Sequence, residues 1–329
     1  MSLNFPVTRR GALRPLAAAA AGTLLGSSAR AQSFPNRPIA MVFPAAPGSP
    51  SDLIGRQVAR TLQGLSGVPV VAENRPGANG IIGVQAVLNA PADGHTLMFT
   101  TMSTMAVNKA LIKNLPYEPL VDVVPLAVGY RTWLYLVASA KSPYRTAAEL
   151  IAAAKREPGK LNFGYGTSIP QMCGKLLEQR AGVQFTFIPY KSHTTMLQAL
   201  VGGEVDASII DPVSFGPFVK AGQFRLLAAA TPTRFAAFAD TPTMAEAGMP
   251  GFEISSAHLC MARAGTSPDV TAKLTEWLTT ASRSSELQSF LAANQADNFH
   301  ITGAEASRYV AGEIERWGTM ARVAGLQPV

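Results

Sequence analysis

Apolar and polar positions follow one another along the chain in two repeating patterns. Short apolar runs rich in β-branched and aromatic residues, such as 39–43 and 96–100, predict buried strands. Longer segments with apolar residues at near-helical spacing, such as 53–65, predict amphipathic helices. Because strand and helix patterns alternate, we expect an α/β fold, with parallel sheets that carry helices on both faces.

The same alternation restarts in the middle of the chain. Strands are predicted at 39–43, 68–72, 96–100, 161–164, 185–188, 207–210, 226–230 and 257–262, and helices at 53–65, 81–89, 146–156, 171–181, 194–201, 268–283 and 304–324. The pattern begins again near residue 134, and the last two helices are too few to form a third domain. We therefore predict two lobes, the first formed by residues 32–134 and 254–329 and the second by residues 135–253.

The N-terminal segment has a different composition from the rest of the chain. Arg9 and Arg10 precede an apolar, Ala-rich stretch at 16–25, and Ala-Arg-Ala follows at 29–31. A basic start, a short apolar region and an A-x-A site are typical of a secretory signal peptide, and about ten apolar residues are too few to span a bilayer. We interpret residues 1–31 as a signal peptide for export to the periplasm by the Sec or the Tat route.

Composition and charge exclude several classes of protein. Apolar residues make up 47% of the chain, enough for a core, whereas charged residues make up only 15%. Four of the 28 basic residues lie within 1–31, leaving 24 basic against 21 acidic residues, too small a surplus for a nucleic-acid interface. Two cysteines exclude a disulfide scaffold, and because Cys173 and Cys260 fall in different predicted lobes, we expect free, buried thiols.

Motifs for catalysis, cofactors and metals are weak. Gly77, Gly80 and Gly83 are spaced G-x-x-G-x-x-G, which differs from the dinucleotide-binding pattern. Ser168 lies in Gly-Thr-Ser-Ile-Pro and not in the G-x-S-x-G turn of α/β hydrolases. The four histidines lack metal-ligand spacing. We expect a non-enzymatic protein with no metal and no cofactor.

Two loops favour binding of a small anion. The first, at 43–52, joins a predicted strand to the start of a helix, where open α/β sheets bind ligands and where backbone N–H groups favour negative charge. Gly48 permits close approach, and Ser49 and Ser51 offer hydroxyl groups. A stiff, proline-rich loop with an ordinary Ser/Asp helix cap explains this stretch equally well.

The second loop, at 163–170, has the equivalent position in the second lobe. Tyr165, Thr167 and Ser168 offer hydroxyl groups there, beside two glycines. Two such loops facing each other, each with backbone N–H groups that favour an anion, suit a ligand with a carboxylate at one or both ends. Each charge-assisted hydrogen bond to such a carboxylate contributes about 1.5–3 kcal/mol.

A series of motifs resembles the Bug (TctC-like) family, the periplasmic solute receptors of tripartite tricarboxylate transporters. The motifs are Glu-Asn-Arg-Pro-Gly at 73–77, Asp-Gly-x-Thr-Leu at 93–97, Pro-Tyr-Lys at 189–191 and Thr-Pro-Thr-Met-Ala-Glu-Ala-Gly at 241–248. The resemblance extends over the chain after the signal peptide. It implies a two-lobed periplasmic binding-protein fold of type II, the Venus-flytrap arrangement, with a ligand cleft between the lobes.

The resemblance also implies a function and a set of site residues. Such a receptor is a monomer that binds a small organic carboxylate and delivers it to two integral-membrane transporter subunits. Carried over by position, its ligand-binding residues are Ala46, Gly48, Ser49, Asp52, Thr167 and Ser168, with Asp52 shaping the loop. Thr101 and Ser103 are candidates for the cleft floor, Tyr165 belongs to the second loop, and Asp211 either meets a ligand donor or caps a helix. Packing is the expected role of Tyr190 and Lys191.

Departures from the family pattern lie in the predicted pocket. Ser49 and Pro50 stand where consecutive glycines are common, and the usual histidine near the start of the second-lobe helix is absent, with Gln-Met-Cys at 171–173. The ligand could therefore differ from that of typical members. Two alternatives stay open: a sensory receptor for a membrane kinase, and an exported α/β hydrolase that uses Ser168 or Asp211.

Overall fold

The computed structural model describes residues 1, 2 and 34–328, so the predicted signal peptide lies, except for its first two residues, outside the described residues. The chain separates into two units, Met1–Asn36 and Arg37–Val329, and every element below belongs to the second. Within residues 34–328, no helix combines the length and the apolar character needed to cross a membrane.

One sheet has six strands drawn from both ends of this unit. They are β1 (Ile39–Phe43), β2 (Val70–Asn74), β3 (Thr96–Thr101), β4 (Val123–Trp133), β10 (Ser255–Arg263) and β11 (Ala296–Thr302). Their order is β11-β4-β10-β3-β1-β2. β1 is parallel to β2 and β3, whereas β10 is antiparallel to both β3 and β4. The sheet is therefore mixed, and the expectation of a purely parallel sheet is wrong, because β10 returns between β3 and β4.

The second sheet has five strands from the middle of the chain. They are β5 (Tyr135–Ser139), β6 (Asn162–Tyr165), β7 (Thr186–Pro189), β8 (Ala207–Ile210) and β9 (Phe224–Ala229), in the order β7-β6-β8-β5-β9. β6 is parallel to β7 and β8, and β5 is antiparallel to β8 and β9. This sheet is also mixed, and its only antiparallel strand pairs involve β5, which enters directly from β4.

The described chain has ten α-helices. They are α1 (Pro50–Ser66), α2 (Ile81–Leu88), α3 (Asn108–Leu111), α4 (Ala147–Arg156), α5 (Ser168–Ala181), α6 (His193–Gly202), α7 (Pro212–Lys220), α8 (Pro268–Ser282), α9 (Ser285–Ala293) and α10 (Gly303–Val323). A five-residue π-helical turn, Ser103–Val107, precedes α3. Several helix ends follow from local chemistry: the Ser49 side chain caps α1 by accepting from the Asp52 N–H, and Gly67 ends α1 at a left-handed φ of 71°.

The structure has two halves, one built around the six-stranded sheet and the other around the five-stranded sheet. Backbone hydrogen bonds join them where the chain crosses from one to the other. The Leu134 N–H donates to Ile254 O at 3.1 Å, Ala230 N–H to Leu134 O at 2.8 Å, and Ile254 N–H to Ala230 O at 2.9 Å. Each crossing segment therefore pairs with the other two. The predicted boundaries, 32–134 with 254–329 and 135–253, stay a prediction.

The last helix packs against both halves. α10 contacts β4 and the π-helical turn of the first half, and it also contacts α5 of the second. Trp317 is completely buried there, and its indole N–H donates to Glu313 Oε2 at 2.9 Å. The predicted packing of the C-terminal helices onto the first lobe thus includes a contact with the second.

Candidate functional site

The N-terminal ends of five helices meet at one cavity of about 100 Å³ between the two sheets. The residues that cap these helices all line it, namely Ser49 of α1, Gly80 of α2, Thr167 of α5, Ser192 of α6 and Asp211 of α7. Four of the five helices directly follow strands, so the loops at the strands' carboxyl ends form the cavity walls. Helix N-termini carry partial positive charge, and their convergence makes the cavity suitable for an anion.

The first loop is held in place by the carboxylate of Asp52. This side chain is buried and accepts three hydrogen bonds, from Gly48 N–H at 2.8 Å, Arg56 Nε at 2.7 Å and Asn74 Nδ2 at 3.0 Å. Neither Gly48 nor Asp52 lines the cavity, whereas Ala46 does. Asp52 thus holds the loop and its lining residues in place without reaching the cavity itself.

The second loop is tied to the opposite half of the molecule. The Ser168 hydroxyl donates to Asn108 Oδ1, and the Ile169 N–H donates to Ser103 Oγ at 3.2 Å. Ser168 is buried by this contact and does not line the cavity. Tyr165 lies outside the cavity as well, with its ring 6.3 Å from that of Phe187. Of this loop's three candidate residues, Thr167 reaches the cavity.

Further hydrogen bonds anchor the contact between the two halves. The completely buried Asn108 amide donates to Asn79 O at 2.9 Å and to the Tyr117 hydroxyl at 3.2 Å, while its oxygen accepts from Ser168. On the other side of the cavity, Thr194 Oγ1 donates to Pro47 O at 3.2 Å. The halves are therefore hydrogen-bonded to each other on both sides of the cleft.

The floor of the cavity is polar and comes from three adjacent strands. Thr101 ends β3, Thr132 lies near the end of β4, and Ser256 and His258 lie on β10 between them. Burial lowers the pKa of His258 to about 4, so its ring is neutral at physiological pH. Ser103 also lines the cavity and accepts the hydrogen bond from the second loop.

Ionisable residues of the second half form the remaining wall. Asp211 caps α7, accepting from Ser214 N–H and from the Ser214 hydroxyl, both at 3.1 Å. Burial raises the pKa of Asp211 to about 6, although these hydrogen bonds oppose the shift. His193 Nε2 lies 2.8 Å from Ser214 Oγ, and burial lowers the pKa of His193 to about 4. Lys191 is exposed at the rim of the cavity, which differs from its predicted packing role.

The cavity is therefore lined by some of the predicted site residues and by others that were not predicted. Six predicted residues line it: Ala46, Ser49, Thr101, Ser103, Thr167 and Asp211. Gly48, Asp52, Tyr165 and Ser168 do not. The polar lining residues that sequence reasoning missed include Thr132, Lys191, His193, Ser256 and His258. Lys191 carried a signal, the Pro-Tyr-Lys motif, but Ser256 and His258 had none, because they lie in an apolar strand pattern more than 150 residues from the first loop.

The described residues give no sign of a metal centre. Among them, no group of three or more His, Cys, Asp or Glu side chains is placed to hold a metal ion. Cys173 and Cys260 are buried free thiols. Burial raises the pKa of both, that of Cys260 to about 12, which disfavours the reactive thiolate.

Comparison with known proteins gives consistent similarities over most of the chain. A family model described as tripartite tricarboxylate transporter family receptor matches residues 54–326. Protein BugT of Bordetella pertussis is 34% identical over 298 residues, which cover 90% of this chain and 91% of BugT.

Solved structures agree with these sequence matches. R. palustris Rpa4515 with adipate is 30% identical, with a TM-score of 0.85 over 90% of this chain and 100% of that one. MatC from Rhodopseudomonas palustris with bound malate is 28% identical, with a TM-score of 0.82 over 87% of this chain and 99% of that one.

Proposed function

The chain belongs to the tripartite tricarboxylate transporter receptor family, and from that premise we propose that it binds a small organic carboxylate in the periplasm and delivers it to the transporter's membrane subunits. The predicted resemblance to Bug proteins and the two-lobed periplasmic binding-protein fold are confirmed. Proteins of this family are receptors and not enzymes.

One observation carries the proposed ligand class: five helix N-termini point at a single cavity. At α1, the Ser51 N–H has no hydrogen-bond partner among the described residues and remains available to a ligand. Ser49 belongs to the six-stranded half and Thr167 to the five-stranded half, and both line the cavity, so a carboxylate that contacts both receives donors from both halves. Backbone dipoles thus bind the anion without a buried arginine.

The energetics and the size suit a small acid. Four charge-assisted hydrogen bonds of about 1.5–3 kcal/mol each reach the roughly −8 kcal/mol of a micromolar complex. A cavity of about 100 Å³ favours a small ligand over a large one. Adipate and malate, which are bound in the two similar structures, are acids of this kind.

The alternative of a hydrolase finds little support in the geometry. The Ser168 hydroxyl is engaged by Asn108, and Asp211 is engaged by Ser214. Ser214 contacts both His193 and Asp211, but in a catalytic triad the histidine, not the serine, occupies the middle position. These contacts support a cleft that holds its ligand unchanged.

Ligand binding is expected to favour closure of the two halves about the crossings near Leu134 and Ile254. The hydrogen bonds across the cleft, Ile169 to Ser103 and Thr194 to Pro47, form only when the halves are together. A ligand that contacts both walls stabilises this closed arrangement, as expected of a receptor presented to membrane subunits.

A thermal-shift screen with a charge-matched control tests the proposal. The chain without residues 1–31 is mixed with mono- and dicarboxylates of two to eight carbons, and each acid is paired with its primary amide. We expect at least one acid to raise the melting temperature in a saturable manner while its amide has no effect. The absence of any acid-specific shift would refute carboxylate binding. Uptake of the acid by a strain that lacks the receptor gene separates two roles: a transport receptor is needed for uptake, whereas a sensory receptor is not.

A further inference from the structure

Two polar side chains on β10 reach the floor of the cleft and have no hydrogen-bond partner within the described part of the chain. Ser256 and His258 are two positions apart on one strand, so they share a face of the sheet, and both line the cavity. They are 6% and 1% exposed. Among the described residues, Ser256 Oγ and both ring nitrogens of His258 lack a hydrogen-bond partner.

The surroundings hold these side chains in place. The His258 ring stacks on Phe99, with centroids 6.0 Å apart and planes at 23°. β10 is paired on both sides, which places His258 opposite Thr101 of β3 and Tyr130 of β4. The ring therefore lies in a rigid part of the core. Because buried polar atoms in folded proteins are almost always hydrogen-bonded, unpartnered atoms in a cavity wall indicate contact with a bound molecule.

We propose that Ser256 and His258 form a second subsite that binds an uncharged hydroxyl group of the ligand, while the helix N-termini bind its carboxylate. This inference rests on the proposed function and narrows the ligand class to hydroxy acids. The subsite belongs to the six-stranded half, and the hydroxyl it binds points away from the rim.

The chemistry of the floor favours a hydroxyl over a second carboxylate. A neutral imidazole presents one donor and one acceptor nitrogen on different edges of the ring. A hydroxyl group both donates and accepts, so it can pair with whichever ring nitrogen faces the cavity and also with Ser256 Oγ. A carboxylate only accepts, so it can pair with the donor nitrogen alone and has nothing to donate to the acceptor nitrogen. Of the charged side chains in the described cavity wall, Lys191 is the one cation, and it is exposed at the rim on the opposite half. A second buried carboxylate at the floor would therefore lack a counter-charge.

Matched pairs of acids test the subsite on the unmodified protein. Calorimetric titration compares malate with succinate, lactate with propionate, and 3-hydroxybutyrate with butyrate. We expect the hydroxylated member of at least one pair to bind about three- to tenfold more tightly, the factor expected for one additional hydrogen bond of ordinary strength.

Substitution of Ser256 distinguishes this role from simple packing. Ser256→Ala is expected to reduce the preference for the hydroxylated acid at least threefold while binding of the plain acid changes less than twofold. The same variant is expected to melt about 2 °C higher without ligand, because it removes a buried hydroxyl that has no partner. His258→Leu is likewise expected to reduce the preference for the hydroxylated acid, because it removes the second side chain of the subsite.

Ser208→Ala is the matched control. Ser208 is also buried on a central strand, but its hydroxyl donates to Gly164 O at 2.8 Å and it does not line the cavity. This variant is expected to melt lower than the wild type and to keep the full preference for the hydroxylated acid. A preference that survives Ser256→Ala, or equal binding within twofold in every pair, overturns the subsite alone. If no acid of either kind binds, the proposed function fails and the subsite fails with it.

Discussion

Replacing Asp52 by Asn tests whether the first loop is shaped by a buried carboxylate. Asp52 accepts hydrogen bonds from Gly48 N–H, Arg56 Nε and Asn74 Nδ2 at 2.7–3.0 Å. All three partners are donors, so the amide NH₂ of an asparagine must face at least one of them. The substitution removes the charge, loses at least one hydrogen bond of about 1.5–3 kcal/mol and places a donor against a donor.

The expected cost follows from these contacts. We expect Asp52→Asn to lower the free energy of unfolding by about 2–4 kcal/mol, since the carboxylate is buried and one lost bond to a charged group is combined with an unsatisfied donor. The Ala46–Ser49 turn loses its anchor at Gly48, so carboxylate affinity should fall at least tenfold as well. The two effects share one cause and should appear together.

Urea unfolding followed by tryptophan fluorescence, together with calorimetric titration of an acid identified in the screen, measures both effects. Glu157→Gln is the control: its carboxylate pairs with Lys160 at the surface, where solvent screens the pair, so its removal should leave the free energy of unfolding unchanged within experimental error. Stability of Asp52→Asn within that same margin would refute the shaping role. A destabilised variant with unchanged affinity would show that the loop geometry does not govern binding.

Three further predictions concern the cleft and the core. Because the pKa of Asp211 is about 6, its carboxylate is charged at pH 7.5 and repels an anion. The affinity for an acid that stays ionised should therefore rise about two- to fivefold between pH 7.5 and pH 5.5, and Asp211→Asn should abolish this pH dependence of the affinity. Gly166→Ala should cost about 1–3 kcal/mol in urea unfolding, because its Cβ would lie 2.4 Å from Ser192 O, whereas Gly216→Ala, with open space at its Cβ, should be neutral or stabilising. Neither cysteine should react with a thiol reagent in the native protein, and both should react in urea; rapid native labelling would contradict their burial.

Local chemistry predicted many of the elements closely. Residues 39–43 form β1 with the predicted bounds. The helix predicted at 146–156 forms as α4, and Thr146 caps it by accepting from Glu149 N–H. α1 starts three residues before its predicted first residue, because Pro50 occupies the first helical position, where its missing N–H costs nothing. These features depend on neighbours within a few residues and can therefore be inferred from the chain alone.

Other elements were missed where local signals conflict with the tertiary structure. β4 contains Pro125 and Gly129, residues typical of loops, yet it is an 11-residue strand paired on both sides. Register shifts in both of its pairings accommodate these irregularities, and no local pattern predicts them. The π-helical turn at Ser103–Val107 and the antiparallel return of β10 likewise depend on packing between distant segments.

The chain by itself determined the α/β class, the helix caps and the family motifs, because periodicity, capping and turn chemistry act over a few residues. The order of the strands in the sheet determined which residues line the binding cavity. β10 lies between β3 and β4, which brings Ser256 and His258 beneath a loop some 200 residues earlier in the chain, and the same closure buries Ser168 against Asn108 instead of exposing it to the ligand. Contacts at such separations are set by the burial of whole sheet faces and by strand register, and these are properties of the folded molecule that no local segment encodes.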